Sequence, residues 1–89
     1  MSDLEIELVI RKCLKMLLHI NINDINNEQY LEDIGLDSLN MVRLIVMLEE
    51  KFDIVFDIEN LVSSNFESIN KIINIIKESL QNGYIKNLN

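Results

Sequence analysis

The sequence contains no proline, no tryptophan and no alanine, and only two glycines, Gly35 and Gly83. With so little punctuation, element boundaries have to be read from hydrophobic periodicity. Without alanine, helices must draw their stability from packing more than from intrinsic propensity. A single cysteine, Cys13, excludes an internal disulfide, and a single histidine, His19, leaves no Cys/His set for zinc. Aromatic residues make up only 6% of the chain, so the core is expected to be aliphatic. No run approaches the roughly 20 apolar residues of a membrane span. Basic residues are also scarce: 8 Lys and Arg stand against 15 Asp and Glu, for a net charge of −7. That balance argues against nucleic acid and anionic membranes as partners and favours basic proteins. The opening Met1-Ser2-Asp3-Leu4-Glu5 is acidic, unlike a secretory signal. A reducing, cytoplasmic setting is expected.

What is present is an 89-residue chain that is 48% hydrophobic, with 15 isoleucines. That is one domain at most, and too apolar for disorder. Its charge is uneven. Residues 24–67 hold eleven acids against Arg43 and Lys51, whereas residues 1–23 are balanced and residues 68–89 are slightly basic. The middle of the chain therefore carries the acidic field.

Isoleucine favours strands, yet its spacing here is helical. Ile6, Val9, Ile10, Cys13 and Leu17 form one stripe, and Ser2 with Glu5 reads as a capping box. A helix is expected from Asp3 to His19. An Asn-rich connection, Ile20 to Asp37, follows, and connections of that length are often functional. Asn21, Asn23 and Glu32 have a faintly calcium-like spacing, but Ile25 takes a ligand position and Asn26 replaces the turn glycine. A second helix is expected from Ser38 to Phe52. Met41, Leu44, Ile45, Leu48 and Phe52 face the core, while Leu39, Val42 and Val46 fall on the opposite side beside Arg43 and Glu50. So short a chain cannot easily wrap both faces, so the outer stripe is read as a partner surface. After an extended linker at 53–57, Ile58 to Ser63 is expected to form one or two helical turns. Ser64 with Glu67 reads as another capping box. It would precede a helix from Phe66 to Leu80 whose core stripe is Ile69, Ile72, Ile73, Ile76 and Leu80. Gly83 is the expected stop, and 83–89 the tail.

Little here suits catalysis. His19 is expected to cap the first helix, Cys13 to lie in the core, and Glu49 and Glu50 to point to different sides. One constellation remains, Asp33-Ile34-Gly35-Leu36-Asp37-Ser38-Leu39, where the long connection enters the second helix. Asp37 or Ser38 can cap that helix and Gly35 can supply a turn. A hydroxyl at a helix N-terminus is exposed, and a phosphate on it would meet the positive end of the dipole.

That segment, followed by Leu48-Glu49-Glu50-Lys51-Phe52, resembles the acyl carrier protein family over nearly the whole chain. The resemblance implies an all-α, four-helix bundle with three longer helices, one short helix and a long first loop. It implies a carrier domain at 1–82 and a 4′-phosphopantetheine arm on Ser38, within the motif Asp33, Gly35, Leu36, Asp37 and Leu39. A magnesium-dependent phosphopantetheinyl transferase would install the arm from coenzyme A. A loading enzyme, either an adenylating enzyme or an acyltransferase, would supply an acyl or aminoacyl cargo, held as a thioester. Leu39, Asn40, Val42, Arg43, Val46, Met47, Glu49 and Glu50 would form the docking face of a monomer that is a carrier and not an enzyme. Fatty-acid carriers usually place acids where Asn40 and Arg43 stand. Together with Asn65-Phe66-Glu67-Ser68-Ile69, that favours a discrete carrier of a polyketide or nonribosomal peptide type of pathway over one for fatty acid synthesis. An unmodified helical interaction module is the alternative of a different class.

Overall fold

A computed structural model describes residues 1–81. The expected stop at Gly83 and the tail at 83–89 lie outside the described residues. Among those described the protein is all-helical, with α1 at Asp3–Leu18, α2 at Ser38–Phe52 and α3 at Ile69–Gln81. There is no strand, only an isolated bridge residue at Ile54. No helix is long and apolar enough to cross a membrane among the described residues.

α1 opens with the expected capping box: Glu5 N–H donates to Ser2 Oγ at 3.2 Å, and Ser2 N–H donates to Glu5 Oε1 at 3.0 Å. These bonds hold the Glu5 carboxyl below its usual range, the Ser2 backbone donor contributing most. His19 ends the helix, but through its backbone. It adopts φ 55° and its N–H reaches Lys15 O at 3.0 Å. α1 packs against both α2 and α3, burying Ile6, Ile10, Cys13 and Leu14.

The core is aliphatic, as the composition requires. Nine isoleucines are buried among the described residues, five of them on α3: Ile69, Ile72, Ile73, Ile75 and Ile76. Burial of Ile75 widens the stripe beyond the expected one. The three phenylalanines are used inside, whereas Tyr30 is exposed. Phe52, Phe56 and Phe66 are buried, and the Phe56 and Phe66 rings meet edge to face, centroids 5.6 Å apart.

The segment Ile58 to Ser63, expected to form one or two helical turns, carries one 3-10 turn at Ile58–Asn60, and a second 3-10 turn follows at Ser63–Phe66. One expectation needs correction: no capping box forms between Ser64 and Glu67. α3 starts later, at Ile69, where Ser68 Oγ accepts from Lys71 N–H at 3.3 Å. The reason is packing: Phe66 must reach the core beside Phe56, and a 3-10 turn delivers it there before the helix begins.

The long first connection carries two 3-10 turns of its own, Ile22–Asp24 and Leu31–Ile34. It is riveted across the helices at Asn27. Asn27 Nδ2 donates to Glu7 Oε1 at 2.8 Å, Arg11 Nη2 donates to Asn27 Oδ1, and Asn70 N–H donates to Asn27 O at 3.0 Å. Leu31 N–H donates to Glu67 O at 2.8 Å. Leu31 itself is fully buried. The connection is thus fixed to α1 and to the start of α3, and it delivers the chain to the head of α2 in one orientation.

Candidate functional site

The site begins with a turn. Gly35 ends the 3-10 turn Leu31–Ile34 at φ 110°, ψ 5°, a region that side chains rarely enter. Its N–H bonds to Glu32 O at 3.2 Å, and Leu36 N–H returns to Leu31 O at 3.0 Å. Leu36 is buried, which anchors the turn from below, and Asp33 stays exposed on the outside. Reversal of the chain here points Asp37 and Ser38 outward at the start of α2.

The cap belongs to Asp37. Its Oδ1 accepts from Asn40 N–H at 2.8 Å, and its carbonyl accepts from Met41 N–H at 2.8 Å. Ser38, the first helical residue, is therefore not needed for capping. Its side chain is exposed and its hydroxyl makes no hydrogen bond among the described residues. The N–H groups of Ser38 and Leu39 lie at the open end of the helix, where backbone donors have no intrahelical acceptor. A phosphate on the Ser38 oxygen would meet those donors and the helix dipole.

A groove of about 710 Å³ opens beside Ser38, between the Leu31–Ile34 turn, the first turn of α2 and the Ser63–Phe66 turn. Met41 and Phe66 give it an apolar floor. Tyr30, Ser63, Glu32 and Glu67 form its polar border. Such a lining suits an arm that alternates amide and methylene segments. No lysine, arginine or histidine lines it.

The remaining expected residues separate into two groups. Leu39, Val42 and Val46 are 60%, 55% and 52% exposed, with Arg43 and Glu50 exposed beside them. Asn40 and Met47 are half-buried at the edge of that face. Glu49 turns away from it. Its Oε2 accepts from Phe56 N–H at 3.0 Å, and its carbonyl accepts the N–H groups of Asp53 and Ile54 beyond the end of α2. Glu49 therefore fastens the following linker. Cys13 is only 1% exposed, and burial pushes its thiol up, against a weaker opposing pull from Lys51. That thiol is a packing group.

The family described as "Phosphopantetheine attachment site" matches residues 9–76. The chain belongs to the acyl carrier protein family. Its cofactor is 4′-phosphopantetheine. The carrier is 36% identical over 72 residues to an acyl carrier protein of Buchnera aphidicola subsp. Schizaphis graminum, covering 80% of this chain and 89% of that one. It is 33% identical over 60 residues to aminoacyl carrier protein 2 of Bradyrhizobium diazoefficiens, covering 67% of each. Among solved structures it superposes, with a TM-score of 0.76 and 32% identity, on a chain of a complex with two named proteins. These are an engineered Bradyrhizobium japonicum glycine:[carrier protein] ligase and a carrier protein from Agrobacterium tumefaciens, crystallised with ATP. The match covers 82% of this chain and 97% of that one, which identifies the matched chain as the small carrier component.

Two features of the carrier had no sequence signal strong enough to find them. The rivet at Asn27 joins residues far apart in the chain, within an Asn-rich run where several asparagines look alike. The groove is assembled from three separate segments, and no local spacing relates them to one another.

Proposed function

We propose that the protein is a discrete carrier that holds an aminoacyl or acyl group on a 4′-phosphopantetheine arm attached to Ser38. The observation that carries this reading is the free, exposed Ser38 hydroxyl at the head of α2, left unoccupied because Asp37 supplies the cap. When bound, the arm supplies a thiol on which cargo is carried as an activated thioester. The protein's own residues then need only hold the post, leave the arm accessible and present a docking face. Leu39, Asn40, Val42, Arg43, Val46 and Met47 are the residues proposed for that face, with Glu50 at its far end. Glu49 contributes through the linker it holds.

An aminoacyl cargo is the preferred reading within this class. It is supported by the similarity to an aminoacyl carrier protein and to carriers crystallised with a glycine:[carrier protein] ligase and ATP or AMP. A loading enzyme that activates a carboxylate with ATP is the partner this implies, alongside a phosphopantetheinyl transferase. Asn40 and Arg43, in place of acids just after the serine, support a specialised polyketide or nonribosomal peptide type of pathway over fatty acid synthesis.

The test is intact-mass measurement after incubation with coenzyme A, magnesium and a broad-specificity transferase. The wild-type chain is expected to gain one arm, mapped to the peptide containing Ser38. Ser38→Ala is expected to gain none while keeping the wild-type helical signal. An arm on Ser38→Ala would refute the assignment. The loaded chain is then offered amino acids with the glycine:[carrier protein] ligase and ATP, and separately malonyl groups with a malonyl transferase. Acceptance of malonyl alone would sink the aminoacyl reading and leave the carrier reading intact.

A further inference from the structure

α1 packs on α2 and α3 through the side that carries Ile6, Ile10, Cys13 and Leu14. On its other side Leu4, Leu8 and Met16 are 62%, 47% and 64% exposed, with Glu5, Lys12 and Lys15 exposed among them. The function proposed above uses none of these residues. Acids occupy the first turn of this helix, Leu8 its middle, and Arg11, Lys12 and Lys15 its second half. Three of the charges serve the fold: Asp3 pairs with Lys77, and Glu7 pairs with Arg11 and accepts from Asn27. Glu5 accepts Ser2 N–H through Oε1. Lys12 and Lys15 make no hydrogen bond or ion pair among the described residues.

We propose that this face pairs with the same face of a second copy, antiparallel about a two-fold axis at the level of Leu8 and Val9. That register sets Leu8 beside Leu8 of the second copy and Glu5 level with Lys12. It also sets Lys15 level with the acidic first turn and Met16 level with Met1. Every match occurs twice, as in any two-fold contact. Glu5 and Lys12 are seven residues apart, about two helical turns, so they lie on the same side of the stripe and meet in this register. Opposite ends of the two helix dipoles also come together. Charge complementarity selects the second copy over other partners. A basic surface would repel Lys12 and Lys15, an acidic surface would repel Glu5, and a parallel pair would set each lysine against its like. One helix face per copy buries less than the roughly 1,200 Å² of stable interfaces, so the pair is weak and exchanges. α2 packs on the buried side of α1, so both Ser38 hydroxyls stay open. The pairing does not depend on the reading of Ser38, and it replaces the monomer that the family resemblance implies.

The experiment is sedimentation equilibrium of the full-length chain without its arm, from about 10 μM to about 1 mM. The average mass of the wild type is expected to rise with concentration toward twice the chain mass. Leu8→Asp is expected to weaken association at least about tenfold, because it sets two carboxylates together at the centre of the contact. Lys12→Glu, which removes no bond from the fold, is expected to weaken it by about threefold or more, since each new carboxylate faces Glu5 of the second copy. Adding Glu5→Gln, which keeps an acceptor for Ser2 N–H, is expected to recover part of that loss. Circular dichroism melts confirm that the variants are folded. A wild type that stays monomeric to the highest concentration overturns the proposal and leaves the face to a different partner. A dimer that Val46→Asp dissociates and Leu8→Asp does not overturns it too, because the contact then lies on α2. So does a dimer indifferent to Lys12→Glu, because the charge register is then wrong. Attachment of an arm to Ser38 is measured separately, so neither reading stands or falls with the other.

Discussion

Replacing Gly35 with alanine tests whether backbone geometry, rather than space, fixes the head of α2. A Cβ built on Gly35 would come no closer than 3.8 Å, to Leu18 Cδ2, an ordinary contact. The obstacle is therefore the φ of 110° alone. Holding an L-residue in such a region costs about 1–3 kcal/mol. Alanine recovers about 0.4–1 kcal/mol by narrowing the unfolded ensemble. The net loss is roughly 1–2 kcal/mol. For a domain of this size each kcal/mol moves the melting temperature by about 4–8 °C, so a drop of roughly 5–15 °C is expected. Circular dichroism melts and urea titrations measure it, with the urea m-value unchanged because the same surface is buried. Gly35→Asn should lose less, since asparagine tolerates the left-handed region better than alanine does. An alanine variant as stable as the wild type, or an asparagine variant worse than alanine, would refute the reasoning. A relaxed turn also moves Asp37 and Ser38, so transfer of the arm should slow in parallel with the loss of stability.

Asp37→Ala should remove the cap on Asn40 N–H and destabilise the protein by about 1 kcal/mol in urea titration, whereas Asp37→Asn should retain most of it; equal losses for the two would disprove the cap. Glu7 gives a pH signature. The hydrogen bond from Asn27, together with Arg11 at 3.0 Å, holds its carboxyl below the usual range despite partial burial. A depressed folded pKa stabilises the protein above the unfolded value, about 4.3, and that contribution disappears as pH falls through the folded value. Glu7→Gln should accordingly be less stable than the wild type at pH 7, with the gap between urea midpoints closing toward pH 3. A gap that stays constant with pH would show that the network contributes through shape alone.

Features set by neighbours three or four residues apart were legible in the sequence. α2 spans Ser38–Phe52 as its two stripes require, and the Ser2–Glu5 box opens α1 as its spacing requires. The Ser64–Glu67 pair shows where such reasoning fails. Its local spacing imitates a cap, but the decision was made elsewhere, by Phe66 packing on Phe56 and by Leu31 N–H taking the Glu67 carbonyl. The motif around Ser38 was legible as residues and turn chemistry, including the exposed apolar stripe beside it. The choice of Asp37 over Ser38 as the cap was not, because both residue types cap helices well. Nor was the position of Glu49, whose carboxylate is claimed by an N–H seven residues away.

The choice of cap has a consequence for the chemistry proposed at Ser38. If the serine itself capped α2, modification of its oxygen would cost the helix a hydrogen bond, and the loaded and unloaded forms would differ in stability. With Asp37 in that role, the serine oxygen can be modified without touching any bond that holds the fold. The groove beside it continues the same logic. Glu32, Asp37 and Glu67 border it and no cation lines it, so nothing in the lining grips a phosphodiester beyond the open end of the helix. Met41 and Phe66 offer only a small apolar rest. An arm on Ser38 would be fixed firmly at its base and held weakly along its length, which is the mechanical condition for presenting one cargo to several enzymes in turn.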